Sequence, residues 1–261
     1  MNKTFVLPAL AVAILGLSGC GAEPPEGRAA AQDTVSAVPR TSSSSPVLDR
    51  FETAFQAVAS NQLQPLRRAQ RRAAPGSLAR AYLTNQADQV EADLAGGDDA
   101  TSGDLTRVDG GFRLCYPDDD GQPCYVYGNL TARRGALAAF TVNSGSLRER
   151  LAVGDGSVVR TPLADVEFRS AYVASDGSLV TVFSINAKQA LQIDGSTSYR
   201  APSGAVRQFG SSSGLDDLPV RSSGWVYFRF PGPLTLGGTV DVTMFPSEGS
   251  GRDATAAVRI G

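Results

Sequence analysis

Near Leu105 the apolar residues of this chain change their spacing from three and four to two, and from there the pattern stays strand-like. Before that point Leu48, Phe51, Phe55 and Val58 recur at helical intervals, behind Ser45-Pro46. That pair is a capping hydroxyl followed by proline at a first helical position. A second short helix is expected from Pro65, carrying Arg67, Arg68, Arg71 and Arg72, and Pro75-Gly76-Ser77 breaks and recaps the chain. A third carries Leu78, Tyr82, Leu83, Ala87, Val90 and Leu94 and stops at Gly96-Gly97. None of the three is apolar all round, so each needs a partner surface. Beyond Leu105, β-rich runs alternate with Asp-Gly turns at Asp109, Asp120, Asp155, Asp176 and Asp194. Val166–Val173 leading into Leu179–Ile185, and Trp225–Phe230 followed by Val240–Phe245, are the clearest pairs. Helices precede strands and do not alternate with them, which argues against a parallel sheet. The expected fold is an α+β N-terminal domain over 46–153, amphipathic helices packed on a small antiparallel sheet, followed by an all-β domain over 154–261.

The first 45 residues have a different logic. Asn2-Lys3 is a short positive segment, and Phe5–Leu17 is an apolar run too short to span a bilayer comfortably but suited to the core of a signal peptide, placed at 1–19. It runs into Leu17-Ser18-Gly19-Cys20, which resembles the bacterial lipobox. The resemblance implies that Cys20 becomes the acylated first residue of the mature chain, held by two or three acyl chains at the outer face of the cytoplasmic membrane. Between Cys20 and the first helix, GAEPPEGRAAAQDTVSAVPRTSSSS has only Val35 and Val38 as sizeable apolar side chains. It cannot bury enough surface to fold, so 20–45 reads as a tether with a reach of about 25–30 Å.

The second half resembles the immunoglobulin-like sandwich modules attached to lipoproteins of actinobacteria and other Gram-positive bacteria. The runs VEFRSAYVASDGSLVTVFSIN, ALQIDGSTSYRAPSG, SGWVYFRFP and TLGGTVDVTMF carry that likeness, one of strand order and turn placement. The first half, with helices leading into GFRLCY, CYVYGNLT and LAAFTVN, is loosely similar to a cone-shaped α+β domain of the nuclear-transport-factor-2 type.

The chemistry available is narrow. The absence of histidine removes Ser-His-Asp and Cys-His catalysis and every histidine-containing metal site. Lys+Arg 24 against Asp+Glu 26 leaves no basic excess of the kind nucleic acid demands. Besides Cys20, the cysteines are Cys115 and Cys124, flanking the turn-rich PDDDGQP; in an exported chain they read as a disulfide across a hairpin. Asp118-Asp119-Asp120-Gly121 lacks the glutamate of a calcium loop. Gly210-Ser211-Ser212-Ser213-Gly214 spells the G-x-S-x-G pattern without a histidine to serve it. Ser184 stands four residues before Lys188, one too many for a Ser-Lys dyad. The Arg67/Arg68/Arg71/Arg72 face reads as solvated, helped by acids elsewhere such as Glu91 and Asp93, or as a surface for anionic lipid or wall polymer. Alternation sends Trp225, Tyr227 and Arg229 to one face of their strand and Phe228 and Phe230 to the core.

No catalytic residue, metal or cofactor is assigned. The expected role is binding or scaffolding in the cell envelope, with an envelope protein or a wall polymer as partner, no nucleic acid, and a surface on the sandwich or at its junction near 145–160. The alternative is a wall-polymer hydrolase using a pair of carboxylates. Acids in turns and on polar faces stay ionised, so no cleft joining two buried carboxylates is expected.

Overall fold

Three helices open the computed structural model, which describes residues 46–99, 101–117, 123–193, 195–215, 217–247 and 251–261. Cys20, the signal and tether segments, Asp118-Asp119-Asp120-Gly121 and Asp194 lie outside the described residues. Helix α1 (Pro46–Ser60) buries Phe51, Phe55 and Val58. Helix α2 (Leu63–Arg72) begins two residues before Pro65, because a proline in the first turn removes an N–H that no intrahelical carbonyl would accept. Helix α3 (Leu78–Gly96) is capped by the Ser77 hydroxyl, which accepts from the Arg80 N–H at 3.2 Å, and ends where Gly97 takes a left-handed φ of 85°. Its burial is not one stripe: Ala79, Tyr82, Asn85, Ala87, Asp88 and Ala92 are all buried, since α2 and strands on several sides enclose it. Leu94, expected in the apolar stripe, is 54% exposed in the last turn, where that enclosure ends.

A five-stranded antiparallel sheet follows in chain order: β1 (Asp104–Val108), β2 (Gly111–Cys115), β3 (Cys124–Arg133), β4 (Ala136–Val142) and β5 (Gly145–Ser146). A single turn, α4 (Leu147–Arg150), leads onward. Twelve short strands come next: β6 (Leu151–Val153), β7 (Val158–Arg160), β8 (Ala164–Val173), β9 (Leu179–Ala187), β10 (Leu191–Ile193), β11 (Ser198–Arg200), β12 (Val206–Gln208), β13 (Ser211–Gly214), β14 (Asp217–Leu218), β15 (Ser223–Phe230), β16 (Thr239–Pro246) and β17 (Ala254–Arg259). They form two antiparallel sheets, β13-β15-β9-β8-β6 with β7 beside β8, and β12-β11-β16-β10-β14 with β17 beside β16. The chain is therefore a small helical part followed by a largely antiparallel, sandwich-like β region.

Two apolar clusters fill it. One joins α1, α2 and α3 to Phe112, Leu114, Tyr127, Leu137 and Phe140 of the first sheet. The other lies between the two later sheets, where Phe183, Phe228 and Phe230 meet Val240, Val242 and Met244. The clusters adjoin within β6, whose Leu151 belongs to the first and Ala152 to the second, and residues 43–261 make one compact unit. Tyr199, fully buried among the second set, keeps its hydroxyl satisfied by donating to the Thr235 carbonyl at 2.5 Å and accepting from the Gly238 N–H at 3.1 Å.

Cys115 and Cys124 form the expected disulfide between β2 and β3. Their Cα atoms are 4.1 Å apart, below the usual range for bridged cysteines. The register explains it. Tyr116 N–H donates to the Pro123 carbonyl, so the next pair, Cys115 opposite Cys124, is a non-hydrogen-bonded pair, the closer kind across an antiparallel ladder. Closing so short a loop stabilises by roughly 2.5–3 kcal/mol in the chain-entropy account.

Candidate functional site

Tyrosine is distributed unevenly in space. Of 7 in the chain, Tyr82 of α3, Tyr116 just after β2, Tyr125 and Tyr127 of β3 and Tyr172 of β8 line one cleft, and Tyr227 of β15 borders the depression beside it. The cleft encloses about 190 Å³ and is completed by Gln86, Gln89 and Asp93 of α3, by Asn61 and by Arg229. The adjoining, shallower depression is walled by Asp93, Asp98, Asp99, Tyr116 and Tyr227. What brings them together is α3, which lies along β4 on one side and across β8, β13 and β15 on another.

Burial acts on four of the phenols. Burial pushes Tyr82 and Tyr127 far above the ordinary phenol range, and their hydroxyls meet at 3.2 Å. Burial also pushes Tyr116 up to about 12; its hydroxyl donates to the Val58 carbonyl at 3.3 Å, and its ring meets Tyr125 edge-on with centroids 6.2 Å apart. Tyr172 is likewise pushed up to about 12 by burial, with the Arg150 guanidinium opposing the shift. The same guanidinium is the polar partner of its buried hydroxyl. Behind the lining, Gln89 is held by a buried chain of polar groups: its Nε2 donates to Asn85 Oδ1 at 2.7 Å, and Asn85 Nδ2 donates to Ser170 Oγ at 3.0 Å. Such a site offers neutral donors, neutral acceptors and aromatic edges.

Two carboxylates share one rim. Ser213 Oγ donates to Asp98 Oδ2 at 2.6 Å and is also a partner of Asp93. Burial raises Asp93 above the usual carboxylate range, the Ser213 and Tyr227 hydroxyls pull it back, and Asp98 pushes it up again. Asp93 is half-buried and Asp98 exposed, so the pair is not two buried acids. The deeply buried acid is Asp88, 1% exposed. It departs from the expectation that acids on polar helix faces stay in water, because α3 has no free polar face at that turn. Desolvation raises it to about 6 against the opposing charge of Arg67, whose Nη2 lies 2.9 Å from Asp88 Oδ1 but donates its hydrogen bond to Glu91 at 2.5 Å.

The arginine face divides accordingly. Arg67 is paired with Asp88 and Glu91, contrary to its expected solvation, while Arg68, Arg71 and Arg72 stay exposed. Asp93, one of the acids expected to help that face, meets the Tyr227 hydroxyl instead. On β15, Phe228 and Phe230 are core, and Trp225, Tyr227 and Arg229 are each half-covered, since α3 lies over them. Trp225 has the Arg169 guanidinium 5.1 Å above its ring, and Arg229 pairs with Asp176 at 2.6 Å. Ser211 to Gly214 form strand β13, with no strand-to-helix elbow. Lys188 Nζ is held by Asp165 at 2.6 Å and by the Thr161 carbonyl at 2.9 Å. Among the described residues no three acids or cysteines gather as metal ligands. The tyrosine cleft was not anticipated; its one local signal is Tyr125-x-Tyr127, two tyrosines on the same face of one strand. Comparison with protein-family models, characterised proteins and solved structures finds no match for this chain.

Proposed function

We propose that this protein is a lipid-anchored, non-catalytic binding protein at the outer face of the cytoplasmic membrane, and that its tyrosine cleft takes a sugar unit of an envelope glycan. The convergence of five tyrosines with Gln86, Gln89, Asn61 and Asp93 around about 190 Å³ carries the reading. Hydroxyl-rich ligands need many neutral hydrogen bonds and an apolar ring face, which phenols and amides supply together. The helical part and the sandwich, read as an immunoglobulin-like module, serve as a rigid frame, and the lipobox with its tether places that frame within reach of the wall.

The test is binding of soluble wall-derived muropeptides to the full chain. Binding without turnover is expected, and Gln89→Ala or Tyr125→Ala should each weaken it by about tenfold, equivalent to ~1.4 kcal/mol. Absence of binding to every glycan fragment overturns the reading. A second reading, glycan hydrolysis, draws on Asp93 and Asp98 meeting around Ser213. Turnover that is lost in Asp93→Asn while the fold is intact would establish it in place of the first. For the anchor, Cys20→Ala is expected to abolish labelling of the protein by a radioactive or clickable fatty acid precursor; unchanged labelling refutes it.

A further inference from the structure

We infer that a second cavity, separate from the tyrosine cleft, binds an amphiphile with a single apolar chain and an anionic head. The cavity lies between α1, α2 and the turn joining β3 to β4, and its volume of about 400 Å³ falls within the range of small-molecule sites. Its floor is apolar: Phe51, Ala57, Ala69, Leu83 and Leu137 line it, and each is buried. The alanines create the space. Wherever α1 and α2 would otherwise interdigitate larger side chains, Ala54, Ala57, Ala69 and Ala73 leave a trough.

The rim is cationic and unneutralised. Arg50, Arg68 and Arg72 line the cavity, no acid does, and none of the three guanidinium groups has an ion pair or hydrogen bond among the described residues. Arg68 and Arg72 stand four apart on one helix face, an arrangement in which like charges repel. Arg50 lines the same cavity from α1, beside Gly135, where a Cβ would sit 3.9 Å from its Nη1. Three guanidinium groups around an apolar trough match a carboxylate or phosphate attached to an alkyl chain, since the fork of each guanidinium suits those oxygens. A neutral or cationic amphiphile would find the same trough without the head-group contacts, and a bare anion would find the head-group site without the trough. The combination selects both ends of the ligand.

The assay is photo-crosslinking of the full chain, in its own membranes, with a diazirine-bearing palmitate probe. Crosslinks are expected on residues 50–73 and 135–137, competed by unlabelled palmitate or by lysophosphatidylglycerol. Competition by palmitate alone assigns a free fatty acid, and competition by lysophosphatidylglycerol alone assigns a phospholipid. Shortening the competitor should weaken it by up to about fourfold per methylene removed from the trough. The double change Arg68→Glu/Arg72→Glu should cut labelling at least tenfold, whereas Arg68→Lys/Arg72→Lys keeps most of it. Both variants change exposed side chains and leave the apolar floor intact. Equal labelling by a probe with a trimethylammonium head, or labelling indifferent to the glutamate changes, overturns the proposal. So does binding to phosphatidylglycerol vesicles that is arginine-dependent while the trough stays unlabelled, for then the arginines dock on a membrane surface and hold no chain.

Discussion

Replacing Phe55 by alanine is expected to lower the free energy of unfolding by about 3–5 kcal/mol, as truncation of a well-enclosed phenylalanine does. Phe55 is 1% exposed and is the common neighbour of the helical and sheet halves of its cluster. Its ring stacks on Phe112 at 4.8 Å, tilts against Tyr127 at 5.0 Å and meets Phe140 edge-on at 5.3 Å. The three partners come from β2, β3 and β4, so one side chain fixes α1 to three strands, and each aromatic pair adds something beyond the area it buries. Phe55→Leu keeps most of the volume and should cost well under half as much. Val47→Ala, on the same helix but 47% exposed, should be nearly silent. Urea denaturation followed by circular dichroism measures all three. A loss under 1 kcal/mol for Phe55→Ala would mean that α1 unfolds independently of the sheet.

What could be read from the sequence was local. The Ser77 cap and the Gly97 stop depend on backbone groups within a few residues of themselves, and both stand where expected. The Asp109-Gly110 and Asp176-Gly177 turns join β1 to β2 and β8 to β9, with the glycines at positive φ. Alternation along β15 correctly sent Phe228 and Phe230 inward, because the pleat alone decides that. It could not say what covers Trp225, Tyr227 and Arg229. The answer, α3, lies more than a hundred residues earlier and is set by tertiary packing. The same helix hides Asp88 and assembles the tyrosine cleft, so these three features trace to one non-local event. The alanines under Arg50, Arg68 and Arg72 were equally illegible, since a small residue in a helix reads as propensity until the neighbouring helix shows the space it leaves.

That burial of Asp88 has a measurable consequence: the protein is expected to lose stability as pH rises from about 4 to 6. Desolvation lifts the Asp88 carboxyl from 3.8 to about 6 in the folded chain, so between those values the folded state holds a proton that the unfolded state releases. The contribution is fully present below about pH 4, declines through pH 6 and is gone above it. At 1.36 kcal/mol per pH unit the whole loss is of order 3 kcal/mol. Asp93, raised for the same first reason, adds a smaller loss of the same sign. Asp176 works the other way. The Ser178 and Arg229 hydrogen bonds outweigh its desolvation and lower it, so its contribution disappears only as pH falls below the ordinary aspartate range, outside this window. Asp88→Asn cannot ionise and should flatten most of the decline between pH 4 and 6, leaving the Asp93 remainder; Asp88→Asn with Asp93→Asn should remove both. Unfolding free energies from urea titrations at pH 4, 5, 6 and 7 supply the comparison. A wild-type protein that grows more stable over that interval, with the gain lost in Asp88→Asn, would mean that the Arg67 guanidinium 2.9 Å away outweighs desolvation and that the buried pair is ionic throughout.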